Sequence, residues 1–359
     1  MDAIRKFPFY AKLTIILIGV YVLVSMLYVA QAIILPVMYA TVIAILISPA
    51  VEFLERRKLN RSIAIIVVLF IALLIVVASI AWAISQAGLL SDALPFLTDK
   101  FQDMISQLVK WASRYFNIRA REINEWIARE KFDMLNSNGL GLGSTFSTMT
   151  RALATFFLTP VYIFMILYYQ PHLIKFTHQL FGTDNDKSVH EILVETKVIV
   201  QSYLVGLFTE FVIIATLNSM GLLLLGIDYA ILLGIIGALL NVIPYLGGLI
   251  AVGLYMVIAL VTKSPVYVLY VMGLYAFIQL VDNNYIVPKI VGSKVKLNAF
   301  VSILAVISGA ALWGIPGMFL SIPVTAVFKL ILDRIDSLKA WGFLLGDTMP
   351  PLIKLKKSR

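Results

Sequence analysis

Cysteine is absent from this sequence of 359 residues, histidine occurs three times, and only 14% of the residues are charged. Without cysteine the chain has no disulfides, no thiol nucleophile and no thiolate metal ligand. The spacing of the three histidines matches no metal-ligand pattern, so neither a metal nor another cofactor is predicted. No Gly-rich phosphate loop ending in Lys-Ser/Thr, GxSxG motif or HExxH motif occurs. These absences argue against an ATP-driven pump and against the common hydrolases, and no enzyme is predicted.

Apolar residues, in contrast, make up 60% of the chain and form several runs longer than the ~18 residues that mark a membrane-crossing helix. The formal net charge is +9, but the basic residues gather in short groups beside the apolar runs, such as Arg56, Arg57, Lys58 and Arg61. Short basic loops mark the cytoplasmic side of a membrane protein. We therefore predict a multi-pass membrane protein with both termini in the cytoplasm, and no binding of nucleic acid.

The order of apolar and polar segments predicts an all-α polytopic membrane protein with about eight spans, counting two broken segments separately. Three N-terminal spans are expected at 13–35, 37–53 and 62–87. The predicted regions are a membrane scaffold (1–87), an external amphipathic helical insertion (88–150), a fourth span with a cytoplasmic loop (151–200), a transport region (201–335) and a cytoplasmic basic tail (336–359). The insertion carries a heptad seam, which favours either packing on its own neighbours or the membrane surface, or a contact between subunits.

Two nearly uncharged segments of equal length, 229–262 and 299–332, are each interrupted by a similar phrase. The phrase reads GALLNVIP up to Pro244 in the first and GAALWGIP up to Pro316 in the second, with five of eight positions identical. Each segment as one helix would be about 51 Å long, against ~30 Å for the hydrocarbon core. Two broken hairpins that enter the membrane from opposite faces fit better, and such interruptions mark the binding site of secondary transporters. The alternative is kinked helices that pack through small residues.

Glu210 is the clearest ionisable residue within a predicted span, and Asn218 lies on the same helical face. A charged side chain at membrane depth costs roughly 2.5–3.5 kcal/mol on insertion scales, so a structural or functional role must explain why Glu210 is there. One reading is that Glu210 and Asn218 couple transport to an ion by binding a proton or a cation. The other is a structural glutamate, protonated or hydrogen-bonded between helices.

The interrupted segments also carry polar groups that suit a small polar solute. Asn241 and Gly248 bound the first interruption, and Trp313 lies in the second. Another predicted span lies between the two interrupted segments, and Gln279, Asp282 and Asn283 lie at its inward end. They either gate a pathway or solvate a helix end. The predicted substrate-binding or gating residues are Asn241, Pro244, Tyr245, Gly247, Gly248, Gln279, Asp282, Asn283, Pro288, Trp313, Gly314, Pro316, Gly317 and Pro323.

Four stretches resemble the autoinducer-2 exporter family of bacterial membrane proteins: QSYLVG from Gln201, the run from Leu224 to Gly248, DNNYIVPKIVGSKVKLN from Asp282, and the run from Ile307 to Val327. The resemblance covers nearly the whole chain by order of spans, and it is specific from about residue 201 onward. The positions that match the family's recurrent residues are Pro244, Tyr245, Gly247, Pro288, Gly314, Pro316, Gly317 and Pro323. Ala299 stands where the family has a proline, and Glu210 belongs to no family motif.

The resemblance implies a homo-oligomer, a pentamer, that moves a small polar solute by an elevator-like shift of its C-terminal part against an N-terminal scaffold. It leaves the cargo open, because similar members are assigned autoinducer-2 or the exchange of sodium or lithium for protons. The leading hypothesis is a secondary transporter that exports a small polar solute such as the quorum-sensing signal autoinducer-2. A sodium (lithium)/proton antiporter and a non-transporting membrane scaffold are the alternatives. The expected partners are the solute or a monovalent cation, the lipid bilayer and other copies of the chain.

Overall fold

The computed structural model describes residues 8–116, 121, 142–181, 186–243, 246–292 and 295–347. Nearly all of these residues are helical, and among them the only β-pairing is an isolated bridge between Leu297 and Gly346. The α-helices are α1 (Phe9–Val29), α2 (Gln31–Arg56), α3 (Arg61–Phe116), α4 (Leu142–Phe181), α5 (Asp186–Leu224), α6 (Ala230–Asn241), α7 (Leu246–Thr262), α8 (Pro265–Val281), α9 (Ala299–Arg334) and α10 (Lys339–Leu345).

Seven segments of the described residues are long and apolar enough to cross a membrane, by length and composition. Helices α6 and α7 are apolar but shorter. An α-helix suits this setting because it satisfies its backbone hydrogen bonds internally where no water is available. The chain is therefore an all-α polytopic membrane protein, as predicted. The seven segments are Phe9–Val29, Gln31–Arg56, Arg61–Gln86, Phe157–Phe181, Lys187–Leu224, Pro265–Gly292 and Ala299–Arg334.

The boundaries of the first two spans differ from those expected, at 9–29 and 31–56 instead of 13–35 and 37–53. The first span was expected to run to Leu35 and to end before Pro36, but α1 ends at Val29 and Pro36 lies inside α2. The third span, expected at 62–87, agrees with the apolar segment Arg61–Gln86. The helix itself does not end there: α3 runs on to Phe116 and is 56 residues long in all, about 84 Å. The predicted insertion thus begins as a direct continuation of a span. Residues 117–120 and 122–141 of the insertion lie outside the described residues, and so does most of the flexible linker that the run NSNGLGLGS predicts at 136–144. Its last three residues already belong to α4.

The chain divides into two compact units. Unit 1 comprises residues 1–50, 162–207 and 288–359. Its core is a cluster of buried apolar side chains from α2, α5, α9 and the segment before α9, including Tyr203, Val291 and Leu320. At the start of α9 the Asn298 side chain accepts a hydrogen bond from the Val301 amide at 2.8 Å, which caps the helix.

Unit 2 comprises residues 51–161 and 208–287. Its core joins α5, α6, α7 and α8 through buried residues such as Leu222, Leu233, Tyr255 and Val271. Helix α8 starts with Pro265 in its first turn, where a missing backbone N–H has no consequence. After Val281 the helix continues as a wider π-helical turn over Asp282–Ile286. Turns of this kind are frequent at functional sites.

Both expected interruptions coincide with breaks in the helices. In unit 2, α6 ends at Asn241 and α7 begins at Leu246. In unit 1, Gly314 has φ 65° and ψ −144° inside α9, which separates the helix into two arms. That conformation is readily available only to glycine. Whether these broken segments enter and leave on one side of the membrane stays a prediction, as do the region boundaries.

Candidate functional site

A buried polar cluster in unit 2 forms around the side chain of Asn241. Its amide nitrogen donates hydrogen bonds to Oε1 of Glu210 at 3.3 Å and to Oδ2 of Asp282 at 3.1 Å. Glu210 is 9% exposed and Asp282 only 1%. One half-buried amide therefore joins two buried carboxyl groups from distant parts of the sequence.

Three helix ends or faces produce this arrangement. Asn241 is the last residue of α6, so its side chain lies at the point where the helix breaks. Asp282 is the first residue of the π-helical turn that follows α8. Glu210 lies in the middle of the apolar part of α5. Because α6 ends at Asn241, no further helical turn covers its side chain, and the amide can reach both carboxyl groups.

A small cavity adjoins the cluster on the side of Asp282. Its volume is about 10 Å³, close to the minimum that holds a single water molecule. Oδ1 of Asp282 is buried and has no hydrogen-bond partner among the residues that the structure describes. The lining residues are Ile214, Asn218, Gly237, Asn241, Gly248, Ala251, Tyr275, Ile278, Gln279 and Asp282. The cavity is far below the ~300–1,000 Å³ of pockets that hold small organic ligands.

Glycine keeps this cavity open. A β-carbon at Gly248 would collide with the Tyr275 hydroxyl and would lie 3.3 Å from Oε1 of Gln279. A β-carbon at Gly237 would collide with the Tyr255 hydroxyl, which is buried and finds no hydrogen-bond partner in the described part of the chain. The oxygens of Tyr275, Gln279 and Asp282 therefore surround a space that any larger residue at 248 would fill.

The electrostatics of the cluster are unusual for a membrane-spanning region. The described residues that line the cavity include no lysine, arginine or histidine. Two carboxyl groups bonded to one amide cannot both be ionised at low dielectric without a compensating positive charge. A proton or a bound cation must therefore neutralise at least one of them.

The structure brings together the predicted residues of unit 2. Asn218 and Gln279 line the cavity with Asn241, and Gly247 and Gly248 are buried at the start of α7. Gln279 also donates a hydrogen bond to the exposed Asn283 at 3.1 Å. Pro244 and Tyr245 lie outside the described residues.

The other predicted residues belong to unit 1. Trp313 donates a hydrogen bond to the Leu27 carbonyl at 3.1 Å, and the Tyr39 hydroxyl donates one to the Pro316 carbonyl at 3.2 Å. These two bonds tie α9 to α1 and α2 on either side of the Gly314 break. Three further predicted residues have no side chain that forms hydrogen bonds. Gly317 and Pro323 are buried in α9, and Pro288 is exposed in a π-helical turn.

Sequence reasoning missed Tyr275, Tyr255 and Gly237. A signal for Tyr275 exists, because it lies four residues before Gln279 and seven before Asp282, on one helical face. Tyr255 similarly lies seven residues after Gly248 on α7. Gly237 begins the phrase GALLNVIP, but no local pattern connects it to a tyrosine hydroxyl.

A break in an apolar helix next to buried carboxyl groups, in an all-α polytopic membrane protein, is typical of the class of membrane transporters. The chain belongs to a particular family of that class, because the family model described as "AI-2E family transporter" matches residues 13–337. The resemblance seen in the sequence is thus confirmed.

Individual relatives are distant but cover most of the chain. YueF of Bacillus subtilis (strain 168) is 25% identical over 307 residues, which are 82% of each protein. The "AI-2 transport protein TqsA" of Escherichia coli (strain K12) is 25% identical over 321 residues, 89% of this chain and 90% of TqsA. The similarity therefore extends over nearly the full length of both proteins.

Proposed function

We propose that this protein is a secondary transporter that exports a small polar solute such as autoinducer-2. The observation that carries the proposal is the buried cluster of Glu210, Asn241 and Asp282 at the end of a broken helix. Buried carboxyl groups in membrane-spanning segments mark substrate or ion pathways. The name of TqsA supports autoinducer-2 as the first solute to test.

Alternating access by an elevator-like movement is part of the proposal. Each of the two compact units contains one broken segment, α6–α7 in unit 2 and α9 in unit 1. Broken helices provide free backbone groups that can bind a solute or an ion. A transporter needs such groups at the site that it exposes first to one side of the membrane and then to the other. We further propose a homo-oligomer, a pentamer as in the family, in the bacterial inner membrane with cytoplasmic termini.

A second candidate, exchange of sodium or lithium for protons, is favoured by the two carboxyl groups that share the Asn241 amide. Because one proton and one monovalent cation compensate the two charges, such a pair suits an exchanger. No ATP-binding motif is present, so in either case a gradient must supply the energy.

The test is flux in proteoliposomes with an imposed pH gradient, using autoinducer-2, sodium and lithium in parallel. Saturable autoinducer-2 flux is expected in the parent and should be lost in Pro316→Ala, which alters the broken part of α9. Pro49→Ala is the matched control, because Pro49 is also a proline inside a helix and is exposed. Cation flux against protons without solute flux would favour the antiporter, and an assembled protein without any flux would favour the scaffold.

A further inference from the structure

The cavity beside Asp282 is too small for the proposed solute. It has room for about one water-sized particle, whereas a metabolite with several carbon atoms needs a pocket many times larger. Residues that were candidates for solute binding, such as Asn241 and Gln279, line this small space. Its occupant must therefore be a single small particle, and the chemistry of the lining decides which one.

The lining is rich in oxygen and poor in positive charge. Asp282 contributes a buried carboxyl oxygen without a partner, and the oxygens of Tyr275 and Gln279 lie around the same space at Gly248. The Gln279 amide nitrogen is already used in a bond to Asn283. Oxygen atoms from carboxyl, amide and hydroxyl groups are the ligands that hard metal cations prefer.

Charge compensation points to a monovalent cation. The titratable groups around the cavity are Asp282 and Tyr275, with Glu210 at the far side of Asn241 and Tyr255 beside Gly237. The described residues contain no group of three or more His, Asp and Glu side chains able to hold a metal ion. One ionised Asp282 neutralises one unit of positive charge, and Glu210 can stay neutral by carrying a proton.

We propose that Asp282, with the side-chain oxygens of Asn218, Tyr275 and Gln279, binds one dehydrated sodium-sized monovalent cation. Glu210 is not a ligand of this cation. It is the neighbouring carboxyl group that carries a proton when the cation is bound, and Asn241 holds the two carboxyl groups in register. The role of this site in coupling rests on the proposed transport function, whereas the binding of the cation does not.

Binding can be measured without transport. Purified full-length protein in detergent is titrated with NaCl, LiCl or KCl, with choline chloride holding the ionic strength constant, and both the midpoint of thermal unfolding and the binding of radioactive sodium are followed. A ligand that binds only the folded state raises the midpoint in a saturable way. Sodium and lithium are expected to raise it more than potassium, because the cavity is small. About one sodium ion should bind per chain.

Protons should compete with the cation for Asp282. Lowering the pH by one unit raises the proton concentration tenfold, so the apparent sodium affinity is expected to fall by up to about tenfold. Sodium, potassium and choline acting alike in the parent protein would overturn the proposal, as would a stability that responds to pH alone. This comparison needs no variant, so it does not depend on whether a variant folds.

Variants then locate the site. Asp282→Asn should lose the sodium-specific shift, while Asp228→Asn, at an exposed aspartate of the same unit, should keep it. Gly248→Ala should also lose the shift, because its β-carbon fills the space beside Tyr275. Gly253→Ala is the matched control on the same helix, since a β-carbon there meets no atom within 4 Å. Loss of the shift in Gly253→Ala to the same extent as in Gly248→Ala would count against the cavity.

Glu210→Gln separates the two carboxyl groups, because glutamine resembles a protonated glutamate. It should retain sodium binding, and complete loss comparable to Asp282→Asn would show that Glu210 is a ligand and would refute the assignment. Solute flux without any sodium-specific shift would refute the cation site and leave the proposed function intact. A sodium-specific shift without solute flux would refute the function and leave the site intact.

Discussion

The side-chain amide of Asn241 donates a hydrogen bond to Asp282 at 3.1 Å across a sequence separation of 41 residues. This bond connects the end of α6 to the turn that follows α8, within unit 2. The same nitrogen bonds to Glu210 on α5. One amide group therefore connects three separate segments: α5, the end of α6 and the turn after α8.

We expect Asn241→Ala to destabilise the protein by about 1–3 kcal/mol, because it leaves buried acceptors on two carboxyl groups without their donor. Chemical unfolding in mixed micelles measures the change. Asn284→Ala is the control, because Asn284 is exposed and its amide donates to the nearby Leu280 carbonyl. Equal effects of the two substitutions would contradict the bridging role of Asn241.

The two arms of α9 contact each other closely at Gly309 and Gly317, in unit 1. A β-carbon at either glycine would collide with the backbone carbonyl of the other. Since a backbone cannot move aside easily, Gly317→Ala is expected to cost about 1–3 kcal/mol or more in the same unfolding measurement. Gly273→Ala, where a β-carbon meets nothing within 4 Å, should change stability far less. A parent-like Gly317→Ala protein would mean that the arms separate without cost.

Tyr39→Phe removes the hydroxyl that donates to the Pro316 carbonyl but keeps the ring, which stacks on Phe319 at 5.9 Å between centroids. We expect a loss of about 0.5–1.5 kcal/mol in the free energy of unfolding, the usual net contribution of one hydrogen bond. Tyr21→Phe is the control, because Tyr21 is 74% exposed on α1. A Tyr39→Phe variant as stable as Tyr21→Phe would show that the bond contributes nothing.

Trp313 offers a second, independent probe of the same region. Its ring nitrogen donates to the Leu27 carbonyl at 3.1 Å, so Trp313→Phe removes a donor between α9 and α1. The expected cost is larger than for Tyr39→Phe, because ring volume is lost together with the bond. If the thermal midpoint instead changes less in Trp313→Phe than in Tyr39→Phe, the indole does not hold α1 against α9.

Arg334 forms ion pairs with Glu191 and, at 2.6 Å, with Glu195. Both acidic partners are substantially exposed, so each pair is expected to contribute only ~0.2–1 kcal/mol. Arg334→Gln should therefore destabilise unit 1 slightly at low salt. The difference from the parent should vanish near 1 M salt, where the screening length is about 3 Å. A difference that persists at high salt would indicate packing by the arginine stem instead of charge.

Membrane class, helical content and the positions of both breaks followed from the sequence. They depend on local properties: apolar run length, glycine and proline. Boundaries were less secure, since the first span was expected to run to residue 35, but α1 ends at Val29 and Pro36 lies inside α2. A proline can be accommodated within a helix when neighbouring groups satisfy the freed carbonyl, which local sequence does not reveal.

The individual polar residues were also visible in the sequence, because a carboxyl group in an apolar span is rare. Glu210 was identified as an ion-coupling candidate, and Asn241 and Asp282 as substrate-binding or gating candidates, with no contact predicted between them. Only the tertiary structure decided that one amide joins them and that the space beside Asp282 holds about one small particle. The reason is physical: hydropathy and helix breaks are read along the chain, whereas the distance between side chains on α5, α6 and α8 is set by how those helices pack.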